Sequence, residues 1–192
     1  MNEILIKSHA IKKEAEELLS KYKVLETLQN FGEVQFTGSY ELDLMYKKDI
    51  DLSIINDNLT VEDFLQLGKE LIDKLSTPTV YYRNTRITPI AQRPENGLYW
   101  GINTGDWWID IWAMNESVYK RAECYISEIK SKLNSQNRII ILQLKNELLS
   151  LNLYGNEFGS RELYDAVLNN KVNSVQSFEK YLKETAHQNE YK

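Results

Sequence analysis

Two carboxylates inside an apolar strand constrain this chain more than any other feature. Between Gly38 and Ile55, Asp49, Asp51 and Ser53 alternate with Ile50, Leu52 and Ile54. That is the period-2 pattern of a strand with one face in the core. An ionised carboxylate removed from water costs several kcal/mol unless it is paired or bound to a cation. Asp49 and Asp51 therefore call for a cation, and their Cα atoms lie roughly 6.6 Å apart from two steps of strand rise. Taken alone, the same pattern also fits the solvated face of an edge strand.

The stretch begins with Gly38-Ser39, placed just after the short alternating strand Glu33–Thr37. Glycine lets backbone approach a ligand closely, and free N–H groups at a helix start, with a serine hydroxyl, bind phosphate oxygens. Tyr40 to Met45 reads as a turn or more of helix, with Ser39 at its N-cap. A third acid, Asp110, sits between Ile109 and Ile111 on a strand predicted over Asp106–Met114. If the two strands are neighbours, the three acids form one cluster. Such a cluster suits Mg²⁺, which takes hard oxygen ligands and commonly shares them with substrate phosphates. Two ions about 3.5–4 Å apart can clamp the attacking and leaving oxygens of an in-line displacement at phosphorus.

The rest of the chain frames these pieces. An amphipathic helix is expected from His9 to Asn30, broken near Lys23 and stopped by Gly32. A second helix follows Thr60, which caps it with Asp63 three residues on, and buries Val61, Phe64, Leu65, Leu71, Ile72 and Leu75. Residues Thr79–Gln92 are rich in Tyr, Ile, Thr and Arg and read as strand interrupted near Asn84. Leu98–Asn103 and Asp106–Met114 flank Thr104-Gly105 as a hairpin. Beyond Met114 four helices are predicted, over Val118–Leu133, Arg138–Leu151, Arg161–Leu168 and Val175–Glu184. Asn134-Ser135, Tyr154-Gly155-Asn156 and Asn169-Asn170 separate them, and Ser160 and Ser174 serve as caps. The expected organisation is a mixed-sheet α+β domain over residues 1–115 and a helical segment over 116–192.

The composition narrows the classes. The 192 residues suffice for one domain with a real core. A net charge of −5 argues against a polynucleotide partner, because phosphate backbones are bound through clustered Lys and Arg. A single cysteine, Cys124, rules out an intramolecular disulfide and suits a reducing compartment; on its helix it is expected to be buried and inert. There is no basic segment followed by an apolar run at Met1–Ile6 and no long apolar window, so a cytoplasmic protein with no membrane partner is expected. His9 and His187 read as surface residues, and Lys47 and Lys48 as a solvated loop. Arg83 and Arg86 lie on strand pairs that are more readily solvent-facing than phosphate-facing. Trp100, Trp107, Trp108 and Trp112 all fall within thirteen residues. Half of them should fill core, and those on the Asp110 face are candidates to line an acceptor or base pocket.

The ordered set Gly38-Ser39, Asp49-Ile50-Asp51 and Ile109-Asp110-Ile111 resembles the motif of the DNA polymerase β-like nucleotidyltransferase superfamily. The resemblance covers about residues 30–115, and the C-terminal helices resemble the extensions of small bacterial members of the antibiotic-modifying or antitoxin type. It implies a nucleotidyltransferase fold and Mg²⁺-dependent transfer of a nucleoside monophosphate, with release of pyrophosphate. Carried over, Asp49, Asp51 and Asp110 would bind two Mg²⁺ ions, Asp110 would help deprotonate the acceptor, and Gly38 and Ser39 would hold the triphosphate. ATP is the expected donor among nucleoside triphosphates. The expected acceptor is a hydroxyl on a small molecule such as an antibiotic. The alternatives are a protein partner, as for nucleotidyltransferase antitoxins, and an inactive module that keeps the fold for interaction.

Overall fold

The computed structural model describes residues 2–90, 93–155 and 158–189. Five strands, β1 (Glu33–Thr37), β2 (Asp49–Ile55), β3 (Thr79–Asn84), β4 (Leu98–Asn103) and β5 (Trp108–Met114), form one sheet in the order β1-β2-β5-β4-β3. β2 and β5 run parallel, and every other pair is antiparallel. A parallel pair needs a long crossover. Here the chain leaves β2 through a helix and returns by the β3–β4 hairpin, so β5 docks beside β2 in the middle of the sheet. The fold is α+β with a mixed sheet, as the alternating segments imply.

One sheet face is apolar. Ile50, Leu52 and Ile54 of β2, Ile109, Ile111 and Ala113 of β5, and Leu98, Trp100 and Ile102 of β4 are all buried there. Helices α1 (Glu3–Lys21), α2 (Val24–Gln29) and α4 (Val61–Leu75) cover this face with Ile11, Ala15, Leu19, Leu28, Phe64, Leu67 and Leu71. Each fully buried aliphatic or Phe side chain contributes about 1.5–3 kcal/mol. The predicted first helix begins earlier than His9, capped by the Asn2 side chain accepting from Ile4 N–H, and it breaks at Lys23, whose φ is 51°. Thr60 and Asp63 form the predicted capping box of α4.

Several expectations are corrected. Leu65 is 44% exposed, on the outer side of α4, because the buried stripe runs through Leu67, Gly68, Leu71 and Leu75. The strand expected to reach Gln92 ends at Asn84, where the Thr85 hydroxyl ties the turn to the Pro94 and Gly97 carbonyls; Ala91 and Gln92 lie outside the described residues. β5 starts at Trp108 rather than Asp106, since Thr104 and Trp107 close a turn. Ser39 is not an N-cap: α3 (Gly38–Glu41) is preceded by Thr37, and Ser39 lies inside its first turn. Gly159, not Ser160, precedes α7 (Ser160–Asn170). Cys124 is exposed on α5 (Glu116–Lys132) rather than buried. His9 is exposed, while the His187 side chain and Asn156 fall outside the described residues.

A second hydrophobic cluster joins α5, α6 (Ser135–Ser150), α7 and α8 (Val175–Asn189) through Ile129, Ile141, Leu142, Leu144, Leu148, Leu163, Val167 and Phe178. It also takes in Leu42, Leu44 and Tyr46 from the segment between α3 and β2, and Ile4 and Leu5 from α1. Residues from both sides of position 115 therefore share it. Arg138 donates to the Leu42 and Asp43 carbonyls and holds the same segment against α6.

Gly68 shows how closely α4 meets the sheet. A Cβ at this position would lie 2.3–2.5 Å from the Trp100 indole, whose Nε1–H donates to the Phe64 carbonyl at 2.8 Å. Helix propensity alone would favour alanine at 68 by about 1 kcal/mol, but the buried indole, hydrogen-bonded to the Phe64 carbonyl, would have to shift. Gly68→Ala is expected to destabilise the protein by about 1–3 kcal/mol, the usual cost of overpacking, as measured by urea unfolding. A variant as stable as the wild type would show that the α4–β4 contact yields.

Candidate active site

The parallel register places Asp51 directly beside Asp110, and Asp49 beside Trp108. Paired residues of neighbouring strands point to the same face, so Asp49, Asp51 and Asp110 all lie on the side of the sheet opposite the apolar core. The antiparallel β1–β2 register sets Thr37 beside Asp51. The turn at Gly38 therefore begins next to that carboxylate.

Gly38 is required there by both backbone and space. Its φ is +60°, and a Cβ would lie 2.0 Å from Asp51 Oδ2. The left-handed conformation alone costs about 1–2 kcal/mol for other residues. The next residue, Ser39, is 8% exposed, and its Oγ is buried without a hydrogen-bond partner among the described residues. A hydroxyl in that condition fits an oxygen ligand brought by a substrate.

All three acids are held above the ordinary carboxylate range. Burial is the main cause in each case. Asp51 is pushed to about 7 by burial first, then by Asp49 and Asp110, against the opposing charges of Lys145 and Arg93. Burial also raises Asp49, while Lys145 and Lys47 pull it down and Asp110 adds to the rise. For Asp110, burial outweighs two hydrogen bonds and the charges of Arg93 and Arg83. Those bonds come from the Tyr99 hydroxyl at 2.5 Å and Trp108 Nε1–H at 2.6 Å, both to Oδ1. They fix the orientation of the carboxylate.

Among the described residues no group of three or more His, Cys, Asp or Glu side chains is placed to hold a metal ion by itself. The three acids form an open set whose charges still act on one another. Hard oxygen donors, an orphaned hydroxyl and a backbone turn pressed against Asp51 fit a hydrated Mg²⁺ that takes its remaining ligands from a triphosphate. Clefts of about 530 Å³ lie beyond the far end of β2, lined by Ile55, Asn56 and Asp57, and among α5, α7 and α8, without any of the three carboxylates on their walls.

The structure adds Lys145, which is 2% exposed on α6. Its Nζ donates to the Leu44 carbonyl at 2.8 Å and the Tyr164 hydroxyl at 2.9 Å, and it lies over the Tyr154 and Tyr164 rings. Its charge reaches both Asp49 and Asp51. The signal was in the sequence: Lys145 follows Ile141 by four residues and Leu142 by three, on the apolar stripe of α6, where a lysine needs a reason. Lys47, expected in a solvated loop, is half-buried instead and donates to the Tyr154 carbonyl at 3.2 Å. Lys48 does face solvent, paired with Glu14. Arg86 is committed to the Leu59 and Asn96 carbonyls, away from the acids.

The fold is similar to that of a cytoplasmic RNA terminal U-transferase, at 18% identity over 87% of this chain and 51% of that one, with a TM-score of 0.56. The chain has a nucleotidyltransferase fold. It is also similar to the polymerase core of TRAMP, an RNA surveillance complex, at 16% identity over 81% of this chain and 48% of that one (TM-score 0.55). For the Cid1 poly(U) polymerase bound to MgATP the identity is 19% over 73% and 43%, with a TM-score of 0.51. The chain spans about half the length of these proteins, and at such identities the likeness is one of fold. No protein-family model and no curated sequence matches it. Among the described residues no helix is long and apolar enough to cross a membrane.

The raised pKa of Asp51 has a stability consequence. An acid whose folded-state pKa exceeds its unfolded value contributes stability below the unfolded value, near 4, and loses that contribution as pH rises through about 7. Asp51→Asn is therefore expected to raise the melting temperature by roughly a few degrees at about pH 8, and by much less at about pH 5. Mg²⁺ should raise the wild-type melting temperature at the higher pH and leave that of Asp51→Asn unmoved. Thermal denaturation of both proteins with and without Mg²⁺ checks this, and an equal gain at both pH values would remove Asp51 as the titrating group.

Proposed function

We propose that this protein transfers a nucleoside monophosphate from a nucleoside triphosphate to an acceptor hydroxyl, releasing pyrophosphate. The observation that carries this reading is the Gly38 turn set against Asp51, with Asp110 as the sheet neighbour of Asp51. A turn with an unpartnered serine hydroxyl is pressed against Asp51, one of three acids that share a sheet face and are held above the ordinary carboxylate range chiefly by burial. The shared fold with a polymerase bound to MgATP supports the same donor chemistry.

In this reading Asp49, Asp51 and Asp110 hold Mg²⁺. When bound, Mg²⁺ would supply charge compensation for the triphosphate. The Ser39 hydroxyl donates to a phosphate oxygen, and Lys145 and Lys47 balance the remaining negative charge on the side of α6. Asp110, kept in orientation by Tyr99 and Trp108, accepts the proton of the acceptor hydroxyl. That oxygen then bonds to the α-phosphorus as the bond to pyrophosphate breaks. ATP is the first donor to test, beside UTP, GTP and CTP.

The expected small-molecule acceptor, an antibiotic hydroxyl, rests on the motif resemblance alone. The overall charge of −5 is a weak guide to the acceptor, because Arg83 and Arg93 act directly on Asp110. The structural relatives named for RNA terminal U-transfer and poly(U) synthesis bring RNA back among the candidates. A scaffold without chemistry has no need of three carboxylates gathered on one sheet face.

Pyrophosphate release with each triphosphate, Mg²⁺ and a panel of hydroxyl acceptors tests the reading. Asp49→Asn and Asp51→Asn should abolish turnover. Asp110→Asn should lower it by about 10²–10⁴-fold, the usual contribution of a general base, with triphosphate binding partly kept. Turnover that survives Asp51→Asn would sink the mechanism.

A further inference from the structure

The sheet register runs a single row of residues across four strands: Asp51 on β2, Asp110 on β5, Gly101 on β4 and Tyr81 on β3. Adjacent strands are about 4.8 Å apart. Tyr81 therefore stands about two strand spacings from Asp110, on the side away from Gly38. An in-line displacement brings the acceptor to phosphorus opposite the leaving pyrophosphate. With the phosphate turn at the Gly38 end of the row, the acceptor must come from the β4–β3 end.

That end is a prepared surface. Gly101 is covered by two rings, since a Cβ there would lie 2.2 Å from the Tyr99 hydroxyl and 3.0 Å from Trp108. Its absence lets both rings lie over β4 and reach Asp110 Oδ1. The Tyr81 ring leans toward Trp108, with centroids 5.6 Å apart, and is 52% exposed. Arg83, also exposed, stands over the Tyr99 ring at 5.5 Å, and its charge is felt by Asp110. Helix α4 packs against β4 from the opposite face, through Trp100. Aromatic contacts between neighbouring strands do stabilise sheets. That role does not account for a half-exposed ring in the row of Asp110 with an exposed guanidinium two residues along the same strand.

We propose that Tyr81 and Trp108 form a stacking platform for the ring of the acceptor, and that Arg83 takes an anionic group beside that ring. This rests on the transfer reading above and names its acceptor class: nucleotide chemistry, a planar base carrying phosphate. The charges of Arg83 and Arg93, which act on Asp110, favour an anionic acceptor over a polycationic antibiotic. The phosphate-bearing ring can belong to a free 5′-nucleotide or to the end of an RNA strand, and the two are separable.

The test is a binding titration in EDTA without any triphosphate. A fluorescein-labelled short oligoadenylate is followed by anisotropy, with 5′-AMP and an aminoglycoside as unlabelled competitors. Wild type should bind the oligonucleotide. Tyr81→Ala should weaken binding about tenfold, as loss of a base–aromatic stack does, while Tyr81→Phe keeps it. Arg83→Ala should weaken it and flatten its salt dependence. Competition by 5′-AMP with the same dependence on Tyr81 identifies a free nucleotide as the acceptor, and its absence identifies a strand end. No binding of either nucleotide probe, equal affinity of Tyr81→Ala and wild type, or Tyr81-dependent binding of the aminoglycoside alone would overturn the proposal. Because no donor is present, the result stands whether or not transfer is observed. A chain that transfers with Tyr81→Ala unimpaired would refute the platform and leave the transfer reading in place.

Discussion

Like charges confined to one side of a sheet are the constraint on which the rest of this structure turns. Asp51 and Asp110 are neighbours because β2 and β5 pair in parallel, and burial makes their repulsion expensive. The surroundings answer that cost from several directions. Tyr99 and Trp108 hydrogen-bond Asp110, the charges of Arg93 and Arg83 act on the same acid, and Lys145 and Lys47 oppose the charge of Asp49. Even so, the acids stay above their usual range. The protein thus carries a site that is less stable than it need be without a cation, a common condition where binding energy is put to use.

Much of this was legible in the sequence. Alternation in residues 49–55 and 108–114 put the acids on one face and the isoleucines on the other, and the structure agrees residue by residue. Trp100 and Trp107 fill core while Trp108 and Trp112 face the acids, the even division that strand parity implies. The Gly38-Ser39 turn was placed correctly, although as a helix cap it was misjudged: the four-residue α3 begins at the glycine.

What escaped the sequence was long-range. No local pattern says that Gly38 lies 2.0 Å, by its missing Cβ, from a carboxylate thirteen residues on, or that Lys145 reaches the segment before β2. The alignment of Tyr81 with Asp110 depends on two successive registers, and a slip of one residue in either would turn the ring to the other face. Cys124 was misread for a simpler reason: α5 is a largely exposed helix whose buried contacts are few, so an apolar residue on it need not be inside.

The segment between Gly38-Ser39 and Asp49 has a further consequence. Leu42, Leu44 and Tyr46 are anchored in the hydrophobic cluster of the C-terminal helices, and Arg138 and Lys145 grip its carbonyls. The two halves of the motif are thus tied together by a strap whose buckle belongs to the helices. Any tilt of α6 against the sheet must drag that strap and shift the serine relative to the acids.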